Sequence, residues 1–160
     1  MITLRAIKVY DKLSEETLCF TATVYSGARK IGFARNDGRG GCNRYDWTDV
    51  DTARVALAGV GLGIHHDGLD QFFDDLLFRE DIRKNLTKSC AKGTLFRLKG
   101  DAPNGWRSVK LNGKDAVYTP SVRQWLLKSH GDNIDVIAND DIGRAVDIEF
   151  AMTKATERSA

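Results

Sequence analysis

The chain has 160 residues, of which 42% are hydrophobic and 29% charged, and its net charge is only +2. That composition supplies one buried core and excludes a disordered polypeptide, and no apolar run approaches the roughly 20 residues a bilayer-spanning helix requires. Three cysteines (Cys19, Cys42, Cys90) without C-x-x-C spacing argue against a disulfide framework and against a zinc ribbon.

The expected elements run in this order. Ile2 to Val9 is strand-like, with an apolar phase that slips between Ala6 and Ile7, as a bulge would produce. Leu18, Phe20, Ala22 and Val24 alternate with Cys19, Thr21, Thr23 and Tyr25, the period of a half-buried strand. Ser26-Gly27 turns the chain, and Lys30 to Ala34 returns antiparallel, which makes a three-stranded meander. Thr48 is the expected cap of a short helix ending near Leu57, before Gly59, Gly61 and Gly63. Leu69, Phe72, Phe73, Leu76 and Leu77 form one apolar stripe of a long helix, with Asp67 as its candidate cap, and Ile82 and Leu86 extend the pattern toward Gly93.

Strands are expected to resume at Thr94–Lys99 and at Trp106–Leu111, a later hairpin joined by a loop over Gly100–Gly105. Thr119 caps a helix with Pro120 at its first position and Val122 and Leu126 on its buried side. Ile134 and Ile137 suggest a short turn or helix, and Val146, Ile148 and Phe150 alternate as a late strand would. The fold class is therefore α+β: an antiparallel sheet with helices packed on one face, in a single domain over residues 1–153 with a frayed tail from Lys154 to Ala160.

Charge is segregated along the chain. Residues 1–47 carry a balance of +3, residues 48–81 of −6, residues 82–130 of +9 and residues 131–160 of −4. Blocks of this kind map to faces of a folded surface, and a basic one either pairs with neighbouring acids or attracts a polyanion.

The most unusual segment runs from Asn36 through Asp37, Gly38, Arg39, Gly40, Gly41, Cys42, Asn43, Arg44, Tyr45 and Asp46 to Trp47. A glycine-rich loop of this type can turn successive N–H groups toward an anion, with Arg39 and Arg44 as clamps. It lacks both common phosphate-loop orders, and the plain alternative is a wide turn leaving the third strand. Tyr45 and Trp47 suit a stacking platform, an interface anchor or a cover for the sheet edge. The candidate binding residues are Asn36, Asp37, Arg39, Asn43, Arg44, Tyr45 and Trp47.

His65-His66-Asp67 is a poor metal site, because adjacent histidines diverge and only His130 remains as a further imidazole. Cys42 is the one cysteine in an electropositive loop, yet no histidine is tied to it by spacing. No catalytic residue, metal ligand or cofactor is assigned on this reading.

The runs E-T-L-C-F-x-A-x-x-Y and K-I-G-x-x-x-N-D-G-R-G-G-C-N between Glu16 and Asn43, with T-L-F-R-L-K-G-D from Thr94 and Y-T-P from Tyr118, carry a resemblance. In these segments the chain resembles an uncharacterised family of small phage and bacterial mobile-element proteins with an N-D-G-x-G-G-x-N loop. The resemblance implies an accessory protein of mobile DNA and transfers no activity. Three functions stay open: a non-catalytic cytoplasmic protein that binds and modulates a host macromolecule, such as a host-defence or nucleic-acid-processing protein; a nucleic-acid-binding module using the basic residues of 82–130; and a small enzyme or nucleotide-binding protein built on residues 36–44. A host protein is the expected partner of the first, with no membrane involved, and the oligomeric state is left open.

Overall fold

A computed structural model describes residues 1–102 and 105–158 of the chain. The packing divides into two compact units, Met1–Leu77 and Phe78–Ala160. The class is α+β.

In the first unit, β1 (Ile2–Val9), β2 (Phe20–Ser26), β3 (Arg29–Asn36) and β4 (Arg44–Trp47) form one antiparallel sheet in that order. The phase slip in β1 is a bulge: the register shifts between Arg5 and Lys8, and Ala6 takes φ +50°. The extra residue returns Ile7 to the side already occupied by Ile2 and Leu4. Helices α1 (Val50–Ala58) and the first part of α2 (Leu69–Cys90) cover that side. Phe20, Val24, Ile31, Leu57 and Phe73 are fully buried there, each contributing about 1.5–3 kcal/mol through apolar burial.

Two local expectations are corrected. The meander has a fourth strand, because Tyr45 and Trp47 alternate with Arg44 and Asp46 and pack against the core cluster, giving the end of the glycine-rich segment a reason to pair with β3. Trp47 lies opposite Gly32, where an added Cβ would stand 2.7 Å from the Asp46 carbonyl oxygen. The cap of α1 is Asp49 rather than Thr48. Its carboxylate accepts from the Thr52 N–H at 3.2 Å and pairs with Arg29 at 2.6 Å.

Before α2, His66 Nδ1 accepts from the Gly68 N–H at 2.9 Å, and the Phe72 N–H donates to the Gly68 carbonyl. The turn is closed by an imidazole, and the first helical bond starts at Gly68 rather than at Asp67.

The second unit holds the rest of α2 and a three-stranded antiparallel sheet ordered β6 (Arg107–Ser108), β5 (Leu95–Leu98), β9 (Ile134–Ile137). A two-stranded pair, β7 (Lys110–Leu111) with β8 (Lys114–Asp115), and helices α3 (Pro120–His130) and α4 (Ile142–Glu157) complete it. Thr119 caps α3 as expected, accepting from the Val122 N–H. Ile134–Ile137 is a strand rather than a turn or helix, paired with β5 through Phe96↔Ile137 and Arg97↔Val136. Residues 146–150 are helical rather than extended. Asp141 caps α4 by accepting from the Arg144 N–H, and Ile142, Ala145, Val146 and Phe150 fall at helical spacing against Ile82, Leu86 and Ala138. The same helix carries the expected tail through Glu157; Ser159 and Ala160 lie outside the described residues.

The loop after β5 is organised by charge. Pro103 and Asn104, in its middle, lie outside the described residues. Asp101 receives a two-nitrogen fork from Arg107 at 2.6–3.1 Å and accepts from the Leu98 N–H at 2.9 Å. The Arg107 hydrogen bonds, then the Leu98 N–H, hold its carboxyl well below the usual carboxylate range. A depressed folded-state pKa contributes stability above the unfolded value, near 3.9, that is lost as pH falls through the folded value. The second unit of wild type is therefore expected to lose stability steadily below about pH 4, and Asp101→Asn to remove that part of the slope. Urea unfolding between pH 2 and 7 checks this; parallel acid limbs for both proteins would contradict it.

Candidate functional site

The glycine-rich segment serves the fold first. Asn36 is buried, and its Oδ1 accepts from Thr17 Oγ1 at 2.9 Å and from the Gly38 N–H at 2.8 Å. Its Nδ2 donates to the Gly41 carbonyl and to Asn43 Oδ1. Asn43 in turn donates its N–H to Asp70 at 3.0 Å and its side-chain amide to Asp74 at 3.0 Å. The phenol of Tyr45 donates to the other oxygen of Asp70 at 2.7 Å. Burial, aided by the Asp70 hydrogen bond, pushes that phenol far above its ordinary pKa, so it stays a donor at any working pH.

The N–H groups of Gly38, Arg39, Gly40 and Asn43 donate to Asn36, Asp37, Thr17 and Asp70 respectively. Donors already turned onto the chain's own oxygens do not form an anion-binding concavity. The segment is a staple that joins residues 13–19, β3 and α2, and these four N–H groups are not free to cradle an anion.

Tyr45 and Trp47 are also placed by the core. Their rings stack at 5.8 Å and both meet Phe73, at 4.9 and 6.3 Å between centroids. They line the inner side of the sheet and are no outward platform. Of the remaining expected binding residues, Arg39 is exposed and makes no ion pair among the described residues, while Asp37 and Arg44 are exposed and pair loosely at 3.7 Å.

The opposite, uncovered side of the sheet carries what the loop does not. Register places Lys8, Thr21, Arg35 and Arg44 in one row across β1 to β4, and Arg5, Thr23, Phe33 and Asp46 in the next. At the β2–β3 end, Tyr25 faces Lys30. Neighbouring strands lie about 4.8 Å apart, so each row spans roughly 14 Å. Arg5 lies over the Tyr25 ring at 4.3 Å and Lys30 over the Phe33 ring at 4.0 Å. Phe33 is 39% exposed, with the Lys30 ammonium over its ring.

Arg35 and Arg44 stand directly opposite each other, a like-charge cross-strand pair that costs stability. Their acidic neighbours relieve it only weakly: Asp46 lies 3.4 Å from Arg35, and Asp37 3.7 Å from Arg44. The forked Arg107–Asp101 pair, closing to 2.6 Å, shows what a saturated guanidinium looks like in the same chain. Beside the two arginines a shallow depression of about 220 Å³ is lined by Cys19, Phe20, Thr21, Arg35, Asn36, Asp37 and Arg44. That volume is below the roughly 300 Å³ at which small-molecule pockets begin, so the depression belongs to a surface rather than to an enclosed site.

No family model, curated protein or solved structure matches this chain.

Five of the eleven cations in the basic block of 82–130 are engaged within their own unit. Arg83, Arg107, Lys110 and Arg123 pair with Glu80, Asp101, Asp115 and Asp140, and Arg97 is buried. Among the described residues no group of three His, Cys, Asp or Glu side chains is placed to hold a metal ion, and no helix is long and apolar enough to cross a membrane. Cys42 is exposed, whereas burial pushes the Cys90 thiol up and so makes it a weaker nucleophile.

Arg5, Lys8, Lys30, Phe33 and Arg35 are absent from the sequence-based candidates. The signal for them was the period of two: once Ala22, Val24 and Ala34 are assigned inward, Phe33 and Arg35 fall outward. Their convergence with Arg5 and Lys8 needs the β1 bulge and the strand order.

Proposed function

We propose that the chain is a non-catalytic cytoplasmic binding protein, an accessory factor of the kind its resemblance to phage and mobile-element proteins implies. It engages a host macromolecule through the outer face of the β1–β4 sheet. The observation that carries this reading is the in-register pair Arg35 and Arg44, held opposite each other with incomplete acidic compensation. A fold under no demand from a partner gains nothing from two facing guanidinium groups on an open sheet. The flanking cations and the exposed Phe33 extend the same surface.

The test is paired affinity capture from bacterial lysate with wild type and with the double variant R35E/R44E as baits. The charge-reversed bait is expected to lose the captured macromolecules while its melting midpoint stays within about 2–4 °C of wild type, because surface substitutions cost little. A K84E/K88E variant, altered on α2, is expected to capture as wild type does. Identical recoveries from wild-type and R35E/R44E baits would remove the reading, as would loss of capture confined to K84E/K88E.

A further inference from the structure

We infer that the outer sheet face binds single-stranded nucleic acid, with phosphates on Lys8, Arg35, Arg44 and Arg5 and a base stacked on Phe33. The inference rests on the reading of this face as the binding surface and names the chemical class of its partner.

Charge complementarity is the first support. Arg5, Lys8, Lys30, Arg35 and Arg44 share one face, and within the paired rows Asp46 is its sole carboxylate. Among the described residues Arg35 and Arg44 each make a single loose acidic contact that leaves guanidinium N–H groups unspent, and Lys8 makes no ion pair. Phosphate oxygens satisfy a guanidinium with the same fork that Asp101 offers Arg107.

The aromatic rings decide between partners. An acidic peptide needs cations alone, whereas a nucleic-acid single strand also offers flat π faces. Phe33 and Tyr25 both belong to the outer face of a four-stranded sheet, and aromatic rings on an open sheet are the kind of platform on which unpaired bases stack. Both rings are now covered by cations. Stacking of a base on an aromatic ring is stronger than a cation–π contact at an exposed site. A base therefore displaces Lys30 from Phe33 with a net gain, and the freed ammonium moves to a phosphate. A duplex hides its base faces and gains only the charge term.

The experiment is fluorescence anisotropy with labelled 12-nucleotide oligo-dT and oligo-U, and with a mixed-sequence duplex of the same length, at 50 and 200 mM salt. Wild type is expected to bind the single strands and to lose about 50-fold in affinity over that range, as four phosphate contacts on a single strand imply. Phe33→Leu keeps every charge and is expected to weaken single-strand binding by about 5-fold or more while leaving the salt slope unchanged. R35E/R44E is expected to abolish binding. The two oligonucleotide arms distinguish DNA from RNA, and binding of either supports the inference.

Absence of single-strand binding at 50 mM salt overturns it. So does tighter binding of the duplex, or a Phe33→Leu variant with wild-type affinity. If no oligonucleotide binds but R35E/R44E still loses a captured acidic protein, the face remains a binding surface and only the nucleic-acid assignment falls. Failure of both experiments removes the surface itself.

Discussion

Gly38→Ala is expected to unfold the first unit or to cost it more than about 4 kcal/mol, the scale reserved for buried steric conflict. Gly38 has φ +82°, and a Cβ there would stand 2.1 Å from the Leu13 carbonyl oxygen and 2.7 Å from Cys19 Cβ. Neither neighbour is the free end of a flexible side chain. The Gly38 carbonyl also accepts from the Glu15 and Glu16 N–H groups at 2.9 and 3.0 Å, so retreat of the loop would break the bonds that hold residues 13–17. Gly41 is the control. Its φ is +96°, but an added Cβ meets nothing within 4 Å. Gly41→Ala therefore isolates the backbone term, about 1–2 kcal/mol. Hydrogen exchange of the β2 and β3 amides reads both variants in the first unit alone. Equal losses at the two positions would mean that backbone conformation, and not the docking of Gly38 on Leu13 and Cys19, sets the cost.

The same loop shows why the fold was more legible than the site. Period-two alternation in Phe20–Val24 and the slip at Ala6–Ile7 are local signals, and both appear in the structure as β2 and the β1 bulge. The unusual composition of 36–47 was equally visible, but its meaning was not local. Asn36 finds Thr17 at a separation of 19 residues, Asn43 finds Asp70 at 27, and Tyr45 finds the same carboxylate at 25. No spacing rule predicts such partners, so a structural staple reads in sequence like an anion loop. The misassigned region 146–150 has another cause. Val146, Ile148 and Phe150 alternate, but Ile142, Ala145 and Val146 also repeat at helical spacing, and the Asp141 cap favours the helix. Block charges misled in the same way. The +9 balance of 82–130 includes cations held by Glu80, Asp115 and Asp140, whereas the modest +3 of 1–47 conceals a face on which Lys8, Arg35 and Arg44 align. Net charge per segment counts side chains; strand register decides which of them meet.

Arg97→Met is expected to cost the second unit at least about 3 kcal/mol, although it replaces a buried charge with an apolar side chain. Arg97 is 2% exposed. Its Nη1 donates to the Gly105 carbonyl at 2.6 Å, and its Nη2 to the carbonyls of Asp101 and Ala102 at 3.1 and 3.0 Å. Two effects oppose each other. Removing a buried ion relieves its desolvation, and well-packed apolar replacements of buried ion pairs are often neutral or stabilising. That relief requires both partners to go. Here the partners are main-chain carbonyls, which no substitution at position 97 removes, and hydrogen bonds to a charged donor are worth about 1.5–3 kcal/mol each. Three orphaned acceptors outweigh one relieved charge, even though the buried Nε has no partner to lose among the described residues. Arg97→Lys separates charge from geometry. A compact ammonium keeps the cation but cannot reproduce a planar fork directed at three carbonyls, so its stability is expected to fall between Met and wild type. Urea unfolding, together with hydrogen exchange at β5 and β9, gives the order. If Arg97→Met matched wild type, the loop carbonyls would have found water without loss, and the guanidinium would be a passenger in the core of the second unit rather than the anchor of its loop.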